Sequence, residues 1–204
     1  MAFTFFFRDI QILELAMKHV VPSVIGRSRI RVWDAGCAMG PELYSLAIMF
    51  AEHMGQFAFK NLIIHATDID EQGTFGAIIR EGAYPEDELK RVPEDIFSRY
   101  FKPDSRPGFF RIIDSIRERV AFQRHDLLSL KPIGNDFSLI LCKNVLLHFQ
   151  PEERIKVISM FHKALASMGH LAMEQTQKMP PEITPLFEQV AANGQVFRKV
   201  EIYP

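Results

Sequence analysis

Cysteine is scarce in this chain: 204 residues hold two, Cys37 and Cys142. So few exclude a disulfide framework, and they form no paired spacing of the metal-binding kind. No metal site is expected, and a reducing cytoplasm fits best. Charge of one sign is lacking too. A net charge of −1 removes the electrostatic case for nucleic acid or an anionic membrane as the main partner. No apolar run reaches the ~20 residues of a membrane span, so no membrane insertion is expected. The apolar start, Met1-Ala-Phe-Thr-Phe-Phe-Phe-Arg8, is short for a signal sequence and carries no basic leader. Internal repeats and low-complexity linkers are absent. Both the dinucleotide fingerprint G-x-G-x-x-G and the Gly-Lys-Ser/Thr of a P-loop are missing. Phenylalanine is plentiful, with 18 residues, which points to an aromatic-rich core. The length suffices for one domain with a full core.

Hydrophobic periodicity divides the chain. A helix is expected over 9–21, ended by Pro22 and Gly26. A strand follows over 30–35, then a helix over 42–54, a buried strand over 61–67 and a helix over 71–80. Between 82 and 117 the alternation breaks at Pro85, Pro93, Pro103, Pro107 and Gly108. This stretch reads as an insertion with a small helix and a short antiparallel sheet over 108–116. The acidic cluster Glu86-Asp87-Glu88 reads as a solvated loop. Strands are expected over 120–123, 137–142 and 169–173, with a helix over 151–166 that has Pro151 in its first turn. Asn193-Gly194 between apolar runs 187–191 and 196–203 signals a terminal hairpin. The fold class is α/β: a mostly parallel seven-stranded sheet, helices on both faces, a terminal antiparallel hairpin and a small inserted β-subdomain.

The chemistry gathers where strands end, as ligands do in open α/β sheets. Arg31-Val-Trp-Asp-Ala-Gly-Cys-Ala-Met-Gly40 reads as a strand, a glycine turn and a helix start. Gly36 and Gly40 suit a turn that lets backbone approach a ligand. This D-x-G-x-x-x-G spacing resembles the first motif of S-adenosylmethionine-dependent methyltransferases. Asp68, ending the second strand, can accept both hydroxyl protons of a ribose; as an alternative it caps the next helix, a role Asp70 fills equally well. Asp126 is either an acceptor for an adenine amino group or a plain loop acid. Asn144 is either a pocket residue or a turn former. Glu42 either holds a ligand ammonium group or is a favourable charge in a helix's first turn.

Five stretches in order make the resemblance specific. They are Thr4-Phe-Phe-Phe-Arg-Asp9, Val32-Trp-Asp-Ala-Gly-Cys-Ala-Met-Gly-Pro-Glu-Leu-Tyr-Ser-Leu46, Ala66-Thr-Asp-Ile-Asp70, Val120-Ala-Phe122 (after Arg99-Tyr-Phe101) and Cys142-Lys-Asn-Val-Leu-Leu-His-Phe149. Together they resemble the CheR-type chemotaxis-receptor glutamate methyltransferases over nearly the whole chain. The resemblance implies a Rossmann-like class I methyltransferase domain over 1–204, with 82–117 inserted in it. It implies S-adenosylmethionine as cofactor and S-adenosylhomocysteine as product. It assigns Thr4, Arg8, Gly36, Cys37, Ala38, Glu42, Asp68, Asp126, Leu127, Asn144 and Val145 to the cofactor, with Cys37 a small residue beneath it. Arg8 and His148 are implied at the catalytic centre. Arg8 would hold the substrate carboxylate by its guanidinium fork; a surface ion pair is the alternative. His148 stands where the family has tyrosine, and it otherwise reads as a loop histidine.

The implied reaction asks little of the protein. A carboxylate is ionised at neutral pH, so its attack on a sulfonium methyl group needs no general base. Alignment and exclusion of water carry the rate. The implied partner is a protein substrate, such as the cytoplasmic region of a chemoreceptor. Three further departures stand out. The chain begins near the entry motif, without the family's N-terminal helical domain. The family's Gly-Glu-Glu-Pro-Tyr-Ser reads Gly40-Pro-Glu-Leu-Tyr-Ser45, and its Gly-His-Ser-Glu reads Met173-Glu-Gln-Thr176. These keep two other readings open: a non-catalytic cofactor-binding module and a small-molecule methyltransferase.

Overall fold

The computed structural model describes residues 4–201. Seven strands form one sheet: Ile30–Ala35 (β1), Leu62–Asp68 (β2), Val120–Arg124 (β6), Phe137–Cys142 (β7), Leu165–Met173 (β8), Phe187–Gln189 (β9) and Val196–Lys199 (β10). Their order is β6-β2-β1-β7-β8-β10-β9. The first five run parallel, and β10 lies antiparallel between β8 and β9. A second sheet, of Ala83–Pro85 (β3), Phe101–Pro103 (β4) and Phe109–Ile112 (β5), is antiparallel in the order β3-β5-β4. The expected fold class is thus the observed one.

Alternation along the strands builds two cores. Val32, Ile64, Leu139 and Leu141 join the helices Ile10–Val24 (α1) and Pro41–Phe59 (α2) on one face. Trp33, Ala35, Ile140 and Cys142 join the helix Pro151–Ala164 on the other. Trp33 is fully buried, and its indole N–H donates to Thr67 Oγ1 at 2.9 Å. No helix among the described residues is long and apolar enough to cross a membrane.

Several boundaries differ from expectation, each for a local reason. Helix α1 runs through Pro22 to Val24, because Val20, Val21 and Val24 are buried there. Helix α2 continues to Phe59 across a break at Gly55, whose φ is 71° and ψ 160°. The helix expected from residue 71 starts later and spans Phe75–Glu81. Asp70 and Gly73 adopt positive φ, and the Asp70 carboxylate accepts the N–H groups of Thr74 and Phe75 at 3.0 and 3.1 Å. The acidic cluster is exposed but opens a helical turn, Glu86–Leu89. Strand β8 begins at Leu165, four residues before its expected start at 169, because Leu165 pairs with Phe137 across a bulge. The terminal hairpin forms, with a loop longer than an Asn-Gly turn: Val190 N–H donates to Val196 O. The end of its expected second strand, 202–203, lies outside the described residues.

His170 on β8 is buried, its Nδ1 lacks a partner, and its ring lies 6.4 Å from that of His19. Burial first, then His19 and Arg198, lower its pKa from 6.5 to about 4. The unfolded imidazole takes a proton near pH 6.5 and the folded one resists it. Stability is therefore full above pH 6.5 and drains as pH falls toward 4, by up to about 3 kcal/mol. Urea unfolding between pH 7.5 and 4 should show this loss, and His170→Phe should flatten it. Equal slopes for the two proteins would refute the assignment.

Candidate functional site

The ends of β1, β2 and β7 meet in one place. After β1 the chain turns at Gly36, where φ is +100° and a Cβ would lie 2.1 Å from Val145 Cγ2. Only glycine lets this turn lie so close to the segment after β7. The N–H groups of Gly36 and Cys37 both donate to Thr67 O, at 2.7 and 3.0 Å. That ties the turn to the end of β2. Asp68 completes the tie: Oδ2 accepts Ala38 N–H at 3.0 Å, and Oδ1 accepts Asp70 N–H at 3.1 Å. The capping of the next helix falls to Asp70. A carboxylate has about four acceptor sites, so Asp68 is held rigidly and keeps capacity for a diol.

The entry segment is pinned from three sides. Phe6 is fully buried and meets Tyr84 and Phe101 edge-on, with ring centroids 5.0 and 5.6 Å away. Phe7 N–H donates to Ser45 Oγ at 2.8 Å, and that hydroxyl donates to Pro41 O at 2.7 Å. Lys143 Nζ donates to Arg8 O at 2.7 Å. Phe7 and Asp9, on either side of Arg8, have φ of 58° and 50°, and Ala38 and Asn144 have 49° and 58°. Such left-handed conformations in residues other than glycine persist only where surrounding structure enforces them, and they cluster at functional sites.

A cavity of about 480 Å³ lies among these parts, within the roughly 300–1,000 Å³ of small-molecule sites. Of the expected residues, Thr4, Arg8, Gly36, Ala38, Glu42, Asp68, Asn144, Val145 and His148 line it. Asp68 also borders a second cavity, with Met39, Ile69 and Asp70 on its walls. Cys37 lies beneath the turn, buried, with its thiol pushed well up by burial. Asp126 and Leu127 are not brought to either cavity. The Asp126 carboxylate accepts Leu128 N–H at 2.8 Å, and Leu127 packs in the core around Trp33. Asn144 fills both of its alternatives: it turns the chain in the left-handed region, and it lines the cavity.

Two lining residues were not singled out from sequence, Lys143 and Leu147. Lys143 carries a signal in hindsight, as a cation directly following a fully buried strand. Its side chain is buried and pairs with Glu42 Oε2 at 2.9 Å. Burial pushes the Glu42 carboxyl up, and Lys143 opposes the shift. Glu174, at the end of β8, is also buried and accepts Asn144 N–H at 3.1 Å. The arrangement presents an anchored acid for a diol and a buried acid for an ammonium group. Arg8 supplies a cation at the rim, and a glycine turn gives close backbone approach. That set has the chemistry to receive S-adenosylmethionine, which brings a diol, an ammonium group and a carboxylate.

The comparisons agree. A family model described as "CheR methyltransferase, SAM binding domain" matches residues 2–196. The chain is 29% identical over 194 residues to a probable chemotaxis protein methyltransferase of Rhizobium etli, covering 92% of this chain and 72% of that one. It is 29% identical over 183 residues to a chemotaxis protein methyltransferase of Borreliella burgdorferi, covering 85% and 63%. It is 34% identical over 174 residues to a 104.1 kDa protein of Rhodobacter capsulatus, of which it spans 18%. Among solved structures, the rRNA methyltransferase aviRa of Streptomyces viridochromogenes superposes with a TM-score of 0.54 at 12% identity, covering 98% of this chain and 85% of that one. That likeness speaks to the fold alone. The family match runs through every strand end that builds the cavity, and on it the chain belongs to the CheR methyltransferases, over the part that binds S-adenosylmethionine.

Proposed function

We propose that the chain transfers the methyl group of S-adenosylmethionine to a glutamate side chain of a protein, as a chemoreceptor methyltransferase does. We take 1–204 as one catalytic domain and 82–117 as a subdomain inserted in it. One observation carries the reading: Arg8 lines the same cavity as Asp68 and Glu42. A guanidinium beside the cofactor's acids is a partner for an incoming carboxylate. Bound S-adenosylmethionine supplies an electrophilic methyl group. The chain's own contribution is to hold the acceptor in line and exclude water. No base is required of it, because the acceptor arrives ionised.

Leu147 and His148 are exposed at the cavity wall. An open wall of this kind admits a side chain carried on a macromolecule, which favours a protein acceptor over a small molecule. The relatives named as chemotaxis protein methyltransferases support the same choice. Incubation with labelled S-adenosylmethionine and a chemoreceptor cytoplasmic fragment should place label on the protein, and mild base should release it as methanol. Label that survives base would overturn the carboxylate acceptor. Cofactor binding with no transfer would favour a regulatory module.

A further inference from the structure

Arg91 belongs to the inserted stretch, between the helical turn Glu86–Leu89 and the helix Glu94–Tyr100. Its backbone is anchored. Leu89 and Val92 are buried in the core that also holds Phe6, and Val92 N–H donates to Leu89 O at 2.9 Å. From this turn the guanidinium stands over the ring of Phe5, 4.0 Å from its centroid. Arg91 is exposed and makes no ion pair among the described residues, so the aromatic face is what holds its charged end.

The same ring carries a second cation. The guanidinium of Arg8 lies 5.9 Å from the Phe5 centroid, and the two distances keep both guanidinium carbons within about 10 Å of each other. The main chain of Arg8 is held by Lys143. Its side chain is long and has much rotamer freedom to lose before its fork can meet a carboxylate. A ring beneath the guanidinium restricts that freedom, because the quadrupole of the ring attracts the cation. The ring does this well only if it is itself held, and Phe5 is half-buried.

The geometry points to Arg91 as a positioning residue for methyl transfer: stacked on Phe5, it steadies the ring against which Arg8 lies and so presets the Arg8 guanidinium for the acceptor carboxylate. Arg8 lines the cavity and Arg91 does not, so Arg91 acts through Phe5. The stack ties the inserted stretch to the reacting end of the cavity, beside the Phe6 contacts with Tyr84 and Phe101. The inference rests on the carboxylate acceptor proposed above and adds a residue to its recognition.

The contact between Arg8 and the acceptor exists before transfer, and the negative charge fades as the ester forms. Loss of the preset guanidinium therefore appears in the acceptor KM, with kcat close to that of the parent. With a chemoreceptor cytoplasmic fragment as acceptor, Arg91→Gln should raise this KM by about 5-fold and leave the affinity for S-adenosylmethionine unchanged. Phe5→Leu should do the same. Arg91→Lys keeps the charge but not the planar group, and should behave much as Arg91→Gln does. In an Arg8→Ala background Arg91→Gln should have no further effect. Parent-like KM in Arg91→Gln would overturn the proposal. So would parent-like Arg91→Lys, or an effect that persists without Arg8, since either would mean that Arg91 attracts the acceptor directly. A second measurement needs no acceptor. The Arg8 Nε–H signal in a nitrogen-15 NMR spectrum, assigned by its loss in Arg8→Lys, should shift and sharpen in Arg91→Gln as the side chain gains freedom. An unmoved signal would overturn the positioning role. A parent that forms no ester would remove the acceptor reading, and the NMR result would still decide the stack.

Discussion

Asp68→Ala is expected to weaken S-adenosylmethionine binding by at least about 100-fold, with little loss of global stability. Two contributions add. The ribose loses charge-assisted hydrogen bonds worth about 1.5–3 kcal/mol each. The turn loses its anchor as well, because Asp68 accepts the N–H groups of both Ala38 and Asp70. Asp68 is partly exposed and stands outside both hydrophobic cores, so the fold should survive. Calorimetry reads the affinity, and thermal unfolding checks the fold. Asp68→Asn retains one acceptor and should fall between the parent and the alanine variant. Parent-like binding by Asp68→Ala would refute the ribose assignment.

Lys143→Met should have the largest effect on stability, about 3–5 kcal/mol. The change removes the partner of a buried carboxylate at 2.9 Å and the donor to Arg8 O at 2.7 Å. A buried charge without its counter-ion costs more than the pair was worth. The double variant Lys143→Met with Glu42→Gln should therefore recover much of the loss, since the remaining side chain is neutral. A double-mutant cycle in urea measures this coupling. A loss below about 1 kcal/mol for Lys143→Met alone, small beside the cost of a broken buried pair, would mean that Glu42 simply takes up a proton and that the pair does not hold the entry segment.

Most of the sheet was legible because its signals are local. Strands β1 and β7 fall at their expected limits, 30–35 and 137–142, since short, mostly apolar runs between turn residues leave little choice. Helix ends were less legible. Pro22 reads as a stop, yet packing of the flanking valines carries α1 past it. The start of the helix at Phe75 depends on where the Asp70 carboxylate points, which no periodicity reveals.

The site divides in the same way. Gly36, Asp68 and Asn144 could be named from residue type and their places at strand ends, and the cavity brings them together. Lys143 could not be valued from sequence, since a lysine after a strand reads as a surface charge until its burial is known. Asp126 shows the converse, since its carboxylate is taken up by Leu128 N–H, a contact set by a local turn.

The sequence by itself determined the layered α/β class, the glycine turn and the order of residues that carries the family resemblance, because these depend on periodicity and on backbone freedom at single positions. Tertiary structure alone decided which charges were buried and with whom they paired. Lys143 lies far along the chain from Glu42 and meets it only when two neighbouring parallel strands bring their ends together. The energy of a charge depends on the medium around it, and the medium exists only in the folded protein.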